Sequence, residues 1–243
     1  VDAVKFAAAY GTWLKNYSKK DKLIVVIGRD ARISGPMIHN LVVNTLIGLG
    51  IDVIDLGLST TPTVEIAVPL EMADGGIILT ASHNPKQWNA LKLLNEKGEF
   101  ISDADGKEIL TIAEQEDFNF AEVDKLGKVT EIETYIQKHI QAILNLKLVR
   151  ADLIRRCNFK IVVDGVNSTG GLFVPALLHA LGVTDVIELY CEPTGQFPHN
   201  PEPLPEHLGD IIQKVKDSNA HLGIVVDPDV DRLTFVCEDG SLF

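Results

Sequence analysis

Residues 76–85 read GIILTASHNP, an apolar run that passes directly into a polar loop. The apolar half is typical of a buried β-strand, and the Asn-Pro pair that follows is a turn signal. Because ligands bind at the carboxyl ends of strands in open α/β sheets, we expect Ser82 to lie at a cleft, beside His83 and Asn84. A polar turn without a binding role is the alternative, since such residues are common in turns. Residues 80–85 are called the serine loop below.

Short apolar runs alternate with amphipathic helical stretches on both sides of this segment. Strands are predicted at residues 23–27, 52–56, 76–79, 160–163, 186–189, 222–226 and 233–237. Helices are predicted at residues 37–49, 63–71, 103–116, 132–146, 172–181 and 208–216. No strand is predicted directly before the helix at 132–146.

This alternation implies crossover connections between strands and therefore mostly parallel sheets. The β/α rhythm stops after the helix at 132–146 and restarts at Lys160. We therefore predict an α/β protein with two consecutive domains, residues 1–150 and 151–243, divided near residues 147–157. Each domain is expected to contain a mixed, mostly parallel sheet flanked by helices.

The composition narrows the classes of function. The chain has 243 residues, 46% of them hydrophobic and 23% charged, as is usual for globular proteins. A formal net charge of −12 disfavours general binding to nucleic acid, which needs a basic surface. The longest apolar runs, such as residues 23–27, are too short to cross a bilayer. Three widely spaced cysteines form neither a disulfide framework nor a zinc motif, so we expect a cytoplasmic protein. The net charge and the short apolar runs together predict no nucleic-acid and no membrane partner.

A second strand is followed by an acidic loop, residues 227–232, which read DPDVDR. Asp227, Asp229 and Asp231 alternate along it, so their carboxylates can converge on one hard cation. Oxygen ligands at this density of negative charge suit Mg²⁺ or Ca²⁺, and the glycine and distal glutamate of an EF-hand are missing. A solvated acidic turn is the alternative, although three neighbouring carboxylates repel one another without a cation.

Three further segments leave two interpretations open. Residues 28–32, GRDAR, either line the same sheet edge as the serine loop or form a solvated loop with a surface ion pair. Lys92 lies just beyond the serine loop and by itself would be interpreted as a surface lysine. Residues 164–171, DGVNSTGG, favour a structural turn, although a helix N-terminus that binds an anion would follow the same pattern.

Taken together, these segments resemble the α-D-phosphohexomutase family, which comprises phosphoglucomutases, phosphomannomutases and phosphoglucosamine mutases. The serine loop is similar to the family's phosphoserine loop, and the acidic loop is similar to its magnesium loop. Supporting matches in order and spacing lie at residues 28–35, 89–92 and 195–198. The resemblance covers nearly the whole chain.

The resemblance implies the first two domains of a four-domain enzyme whose active site lies in a central cleft. The remaining domains of the same full-length chain would be its partners. A segment with a catalytic arginine would precede Val1, and a sugar-recognition loop and a phosphate-binding loop would follow Phe243. The chain by itself is therefore expected to be inactive.

The resemblance also implies the chemistry. Ser82 would pass a phosphoryl group to a hydroxyl of a hexose phosphate substrate, through a hexose 1,6-bisphosphate that serves as intermediate and activator. The catalytic residues implied are Ser82, His83, Lys92 and Arg232. The ligands implied for Mg²⁺ are Ser82, Asp227, Asp229 and Asp231. The substrate- or phosphate-binding residues implied are Arg29, Asn84 and Asn89.

Three positions depart from the family's usual pattern. Pro228 stands where the acidic loop usually has glycine, and Val230 where it often has a small residue. Proline fixes its own φ and favours an extended residue before it, and valine strongly disfavours positive φ. Ala90 replaces the glycine usually found after Asn89. The two substitutions in the acidic loop keep the spacing of its aspartates but are expected to affect the shape of the loop and its metal geometry.

Two other classes of function remain open. One is a binding module that holds Mg²⁺ and phosphate without turnover. The other is an aspartyl-phosphate hydrolase that uses the acidic loop as its nucleophile. Within the family, glucose, mannose and glucosamine phosphates all remain candidate substrates, because the deciding loop would lie in the third domain.

Overall fold

Two β-sheets, each covered by helices, follow one another in a computed structural model that describes residues 1–18 and 20–243. The strands of the first domain are β1 (Ile24–Arg29), β2 (Asp52–Leu58), β3 (Gly75–Leu79), β4 (Leu91–Leu94) and β5 (Val129–Glu131). Its helices are α1 (Asp2–Tyr17), α2 (Gly35–Gly48), α3 (Thr61–Leu70) and α4 (Asp103–Gln115).

The second domain repeats this architecture with fewer elements. Two helices lead into it, α5 (Tyr135–Leu144) and α6 (Ala151–Arg156). Its strands are β6 (Lys160–Asp164), β7 (Asp185–Leu189), β8 (Leu222–Val226) and β9 (Leu233–Cys237). The helices between these strands are α7 (Gly170–Leu181) and α8 (Gly209–Ser218).

Both sheets are mixed and mostly parallel, which confirms the predicted fold class. In the described part of the chain, the first sheet has the order β4-β3-β1-β2-β5, with β4 antiparallel to β3. The second sheet has the order β7-β6-β8-β9, with β9 antiparallel to β8. In each sheet the central strands are therefore parallel neighbours, and their carboxyl ends lie at one edge.

The central strands are buried on both faces, as parallel strands covered by helices must be. Val25 and Ile27 of β1 pack in a cluster with α1, α2 and α4. Val26, which points to the opposite face, packs with Val64 of α3. Because successive side chains of a strand alternate between faces and both faces are covered, residues 24–27 are all apolar and show no helical period. The same alternation recurs in the second domain, where Val162 packs near α8 and its neighbours pack near α7.

Helix α5 contacts both domains. Tyr135 at its start belongs to the α3 cluster of the first domain, and Ile140 belongs to the α7 cluster of the second. Between them, His139 Nδ1 lies 2.9 Å from Thr63 Oγ1 of α3, and the His139 ring packs against Phe173 of α7. The helix is therefore a shared element of the two cores.

One prediction about this region is wrong. Strand β5 lies directly before α5 and pairs parallel with β2, where no strand was predicted. All three residues of β5 are exposed, so the apolar signal that identifies a buried strand is missing. The sequence predictions also contain no strand at β4 and no helix at α1. Strand β4 is only four residues long, and its side chains are mostly half-buried.

Within the described residues, none of the helices combines the length and the apolar character needed to cross a membrane.

Candidate active site

The serine loop and the acidic loop meet, although they belong to different domains. The serine loop follows the carboxyl end of β3, and the acidic loop follows the carboxyl end of β8. Ser82 Oγ donates a hydrogen bond of 2.8 Å to Asp227 Oδ2 and lies 3.5 Å from Asp231 Oδ1. Two residues that are 145 positions apart in sequence thus meet in one site.

Arg32 holds the serine loop in shape. Its side chain is fully buried, and its Nε donates to Asp30 Oδ2 at 2.9 Å. Its two terminal nitrogens donate to four main-chain oxygens at 2.6–3.0 Å, those of Ser82, Asn84, Pro85 and Trp88. The planar guanidinium therefore satisfies carbonyls that have no regular secondary structure to pair with. The ring of Phe197, from the second domain, covers the guanidinium at 5.2 Å.

Asp30 links Arg32 to the serine loop from the other side. Its Oδ2 also accepts a hydrogen bond of 2.8 Å from Thr80 Oγ1, and Thr80 Oγ1 in turn accepts one from Ser82 N. Burial raises the pKa of the Asp30 carboxyl to about 6, against the opposing effect of Arg32. Since Asp30 and Arg32 are both fully buried, the surface ion pair considered for residues 28–32 is wrong.

The backbone of the serine loop is strained at its central residue. Ser82 has φ of 50°, in the left-handed region that non-glycine residues seldom occupy. Such a conformation costs roughly 1–2 kcal/mol and persists only where the surroundings fix it. The hydrogen bonds from Arg32 and to Thr80 provide that constraint.

The acidic loop is held in a similar way. Val230 has φ of 64°, so the positive φ that valine disfavours is present. The carbonyl of Pro228 accepts hydrogen bonds from Ser168 Oγ at 2.7 Å and from Thr169 Oγ1 at 2.8 Å. Residues 164–171 therefore act as a structural support for the acidic loop, in agreement with the interpretation favoured from sequence.

Asp227, Asp229 and Asp231 each place a carboxylate oxygen within 4.8 Å of the others. Asp227 and Asp229 are fully buried, so the alternative of a solvated turn is wrong for both. Burial, together with the charges of Asp229 and Asp231, raises the pKa of Asp227 above its ordinary range. Such a cluster is unfavourable unless a positive charge compensates it.

The donor set fits a hard divalent cation. Asp229 Oδ1 is buried and has no hydrogen-bond partner among the described residues. An unpartnered buried carboxylate oxygen is costly, and carboxylate oxygens are the ligands that Mg²⁺ prefers.

Lys92 of β4 contacts two of these carboxylates. Its Nζ lies 2.7 Å from Asp229 Oδ2 and 2.6 Å from Asp231 Oδ2. Although burial lowers it, the pKa of Lys92 is raised overall by these two carboxylates. The surface-lysine alternative is wrong, since Lys92 is half-buried and paired across the domain boundary.

The other predicted residues are more dispersed. His83 Nδ1 lies 3.4 Å from Ser82 Oγ. Arg232 donates to Glu202 Oε1 at 2.9 Å at the exposed rim of the acidic loop. Arg29 is half-buried and donates to the carbonyl of Asp30.

The two asparagines belong to the wall of the site. A cavity of about 390 Å³ beside the serine loop is lined by Ser82, Lys92, Asn84 and Asn89, among others. The side chain of Asn84 donates to Ala81 O, and that of Asn89 donates to Ser34 Oγ.

Two residues that shape this site were not proposed from sequence. Arg32 belongs to the segment of residues 28–32, but nothing in the sequence indicates that its partners lie on or beside the serine loop. Thr61, at the start of α3, donates from Oγ1 to Asp229 Oδ2 at 2.6 Å. A threonine in the first turn of a helix is too common to be a signal by itself.

Comparison with known proteins places this architecture in a family. The model described as "Phosphoglucomutase/phosphomannomutase, alpha/beta/alpha domain I" matches residues 2–120, and the corresponding domain II model matches residues 133–240. The chain therefore belongs to the α-D-phosphohexomutase family of phosphoglucomutases and phosphomannomutases, which confirms the resemblance seen in its motifs. Such mutases are isomerases of carbohydrate metabolism.

Individual relatives agree with this assignment. The chain is 37% identical to a phosphoglucomutase/phosphomannomutase of Thermococcus kodakarensis, over 98% of this chain and 51% of the relative. It is 36% identical to a Methanopyrus kandleri protein named "Probable phosphoglucosamine mutase", over 89% of this chain and 47% of the relative. A crystal structure of a family protein from Burkholderia thailandensis superposes with a TM-score of 0.83 at 28% identity, covering 99% of this chain and 51% of that one. The chain thus spans about half the length of these relatives.

Proposed function

We propose that this chain supplies the phosphoserine and metal-binding half of a phosphohexomutase. The enzyme would move a phosphoryl group between the 1 and 6 positions of a hexose phosphate. The observation that carries the proposal is the hydrogen bond of 2.8 Å from Ser82 Oγ to Asp227 Oδ2, which joins the serine loop to the acidic loop. Family membership and the names of the relatives support hexose phosphates as the class of substrate.

In this proposal Ser82 carries a phosphoryl group in the resting enzyme. Transfer breaks the bond between phosphorus and Ser82 Oγ and forms a bond to a hydroxyl oxygen of the hexose phosphate, whose proton ends on Ser82. The product is a bound hexose 1,6-bisphosphate. The bond between the other phosphorus and its hexose oxygen then breaks, a bond from that phosphorus to Ser82 Oγ forms, and the proton of Ser82 passes to the hexose oxygen as the isomeric hexose phosphate leaves. Hexose 1,6-bisphosphate from solution would phosphorylate an empty Ser82 and so act as an activator.

Phosphoryl transfer requires alignment and charge neutralisation more than covalent assistance. Lys92, held on Asp229 and Asp231, places a positive charge beside Ser82. His83, 3.4 Å from Ser82 Oγ, is near enough to exchange a proton with it. Arg232 would contribute a further positive charge once it leaves Glu202.

Asp227, Asp229 and Asp231, with an oxygen of the phosphorylated Ser82, would hold Mg²⁺. When bound there, the ion supplies positive charge that offsets the charge on the phosphoryl oxygens. Asn84 and Asn89, which line the adjacent cavity, and Arg29 would bind the substrate or its phosphate.

The rest of the catalytic cleft would come from further domains of a longer chain. A phosphoserine that is open to water would lose its phosphoryl group by hydrolysis, so the cleft must exclude water during transfer. The chain of 243 residues is therefore expected to hold the reactive groups without turnover. The proposed setting is the cytoplasm, where the three free cysteines would stay reduced.

A coupled mutase assay tests this proposal. Glucose, mannose and glucosamine 1-phosphates are each offered with Mg²⁺ to residues 1–243, to the longer protein and to its Ser82→Ala variant. We expect turnover by the longer protein alone. Ser241→Ala is the matched control and should keep full activity, because Ser241 is exposed and pairs with Cys237 at the end of β9 opposite the acidic loop. Undiminished turnover by Ser82→Ala would overturn the role of Ser82, and no turnover of any hexose phosphate would overturn the proposal.

A further inference from the structure

Thr61 joins helix α3 of the first domain to the acidic loop of the second. Its main-chain N–H donates to Asp229 O at 2.8 Å, and its hydroxyl donates to Asp229 Oδ2 at 2.6 Å. Thr61 is almost completely buried, as is Asp229. One residue of the first domain thus fixes both the backbone and the side chain of an acidic residue 168 positions away.

The start of α3 is built to leave this contact available. Thr60 is the N-cap residue and accepts a hydrogen bond from Thr63 N through its side chain. Thr61 N is one of the first-turn N–H groups that a helix cannot pair internally, and it pairs with Asp229 instead. The positive end of the helix dipole also favours the negative charge of this carboxylate.

The two oxygens of the Asp229 carboxylate are used differently. Oδ2 accepts the hydroxyl of Thr61 and contacts Lys92 Nζ at 2.7 Å. Oδ1 is buried without a hydrogen-bond partner in the described residues. Because both donors hold the same oxygen, the carboxylate has one fixed orientation, and Oδ1 remains free.

We propose that Thr61 is a positioning residue for the metal site: it holds Asp229 so that Oδ1 is kept for a divalent cation. This inference rests on the proposed function, in which Asp229 is a metal ligand. Groups that hydrogen-bond to a ligand carboxylate fix its orientation, and their loss commonly weakens metal affinity by about 10- to 100-fold. Lys92 remains when the Thr61 hydroxyl is removed, so we expect the smaller end of this range, about 10-fold.

The test is a titration of residues 1–243 with Mn²⁺ alone, followed by electron paramagnetic resonance. Mn²⁺ serves as the probe because it also prefers oxygen ligands. Thr61→Val removes the hydroxyl at nearly constant volume and keeps the main-chain bond to Asp229. We expect its affinity for Mn²⁺ to fall about 10-fold, and we expect Thr61→Ser, which keeps a hydroxyl, to restore it. Thermal unfolding of each variant is recorded in parallel.

Thr63→Val is the matched control, because Thr63 is buried in the same helical turn and bonds to Thr60 and His139 rather than to Asp229. It should leave Mn²⁺ affinity unchanged even if it lowers the melting temperature. If Thr61→Val does not fold, Thr61→Ala removes the same hydroxyl with a smaller side chain and takes its place.

Asp229→Asn separates the two possible failures. If Asp229→Asn weakens Mn²⁺ binding and Thr61→Val does not, the role of Thr61 is overturned while the proposed function stands. If Asp229→Asn also binds Mn²⁺ as the unmodified chain does, the metal assignment of the acidic loop fails, and the role of Thr61 fails with it.

Discussion

Ser82 and Arg32 show how single residues determine this site. Ser82 presents its hydroxyl to Asp227 from a left-handed backbone conformation, which the loop does not favour by itself. Arg32 offsets the cost of this backbone conformation, because all five of its guanidinium N–H groups donate hydrogen bonds to protein oxygens. The shape of the serine loop therefore depends on a side chain fifty residues earlier in the sequence.

Replacing Arg32 by lysine should destabilise the protein strongly. Lysine keeps the charge, but its three donors cannot reproduce the planar fork that contacts Asp30 and four carbonyls. Asp30 and several buried carbonyls would lose their partners, so we expect a loss of about 3 kcal/mol or more in the free energy of unfolding. Urea denaturation of residues 1–243 measures this loss.

Arg150→Lys is the matched control for that measurement. Arg150 also pairs with an aspartate two positions away, Asp152, but both side chains are exposed. Exposed ion pairs contribute little, so the change should stay below about 0.5 kcal/mol. Equal effects of Arg32→Lys and Arg150→Lys would contradict the structural role of Arg32.

Among the secondary-structure elements, those that are buried were predicted best. Strands β3 and β8 are short apolar runs that end in turn signals, and both were located within one residue at either end. Strand β5 was missed because it is short and exposed, and its pairing with β2 depends on distant sequence.

The same reasoning applies to the candidate site. Ser82 and the three aspartates belong to continuous motifs, so they could be proposed from sequence. Arg32 contributes through a contact with Ser82, 50 positions away, and Thr61 through a contact with Asp229, 168 positions away. A local sequence pattern cannot predict contacts between residues so far apart. The separate pairing of Arg232 with Glu202 was equally invisible, because the two residues lie in different loops.

Helix α5 carries a titratable group that should make stability depend on pH. His139 is buried between Thr63 and Phe173, and burial lowers its pKa to about 4 from an ordinary value of 6.5. Between pH 6.5 and pH 4, His139 therefore binds a proton in the unfolded chain but not in the folded chain. The associated stability is fully present above pH 6.5 and is lost as the pH falls towards 4.

His139→Gln keeps a partner for Thr63 but does not titrate. We expect unmodified protein to lose about 2 kcal/mol more than this variant between pH 7 and 4.5, measured by urea denaturation. His179→Gln, at an exposed histidine on α7, is the control and should behave like unmodified protein. Parallel pH profiles of unmodified protein and His139→Gln would show that His139 titrates normally.

At the scale of the whole molecule, the division near residues 147–157 remains a prediction, and helix α5 provides a test of it. The division predicts that residues 158–243 fold alone. Ile140 and Ile143 of α5 and Ile154 of α6 nevertheless pack in the core of the second domain. A polypeptide of residues 133–243 should therefore be more stable than residues 158–243 by about 3 kcal/mol, from the apolar area that these helices bury.

Circular dichroism with urea denaturation of the two polypeptides measures this difference. Cooperative unfolding of residues 158–243 would support the predicted boundary. An unfolded spectrum for residues 158–243, next to cooperative unfolding of residues 133–243, would move the boundary to the N-terminal side of α5. Equal stability of the two would contradict the contribution of α5 to the second core.

The central claim is that loops from both domains form one site for phosphoryl transfer. The most direct measurement is transfer of label from ³²P-glucose 1,6-bisphosphate to the longer protein, with peptide mapping of the labelled residue. We predict acid-stable label on the peptide that contains Ser82, none in Ser82→Ala, and strongly reduced label in Asp229→Asn, whose substitution lies in the other domain. Acid-labile label on Asp227, or label on Ser82 that is unchanged in Asp229→Asn, would contradict the claim.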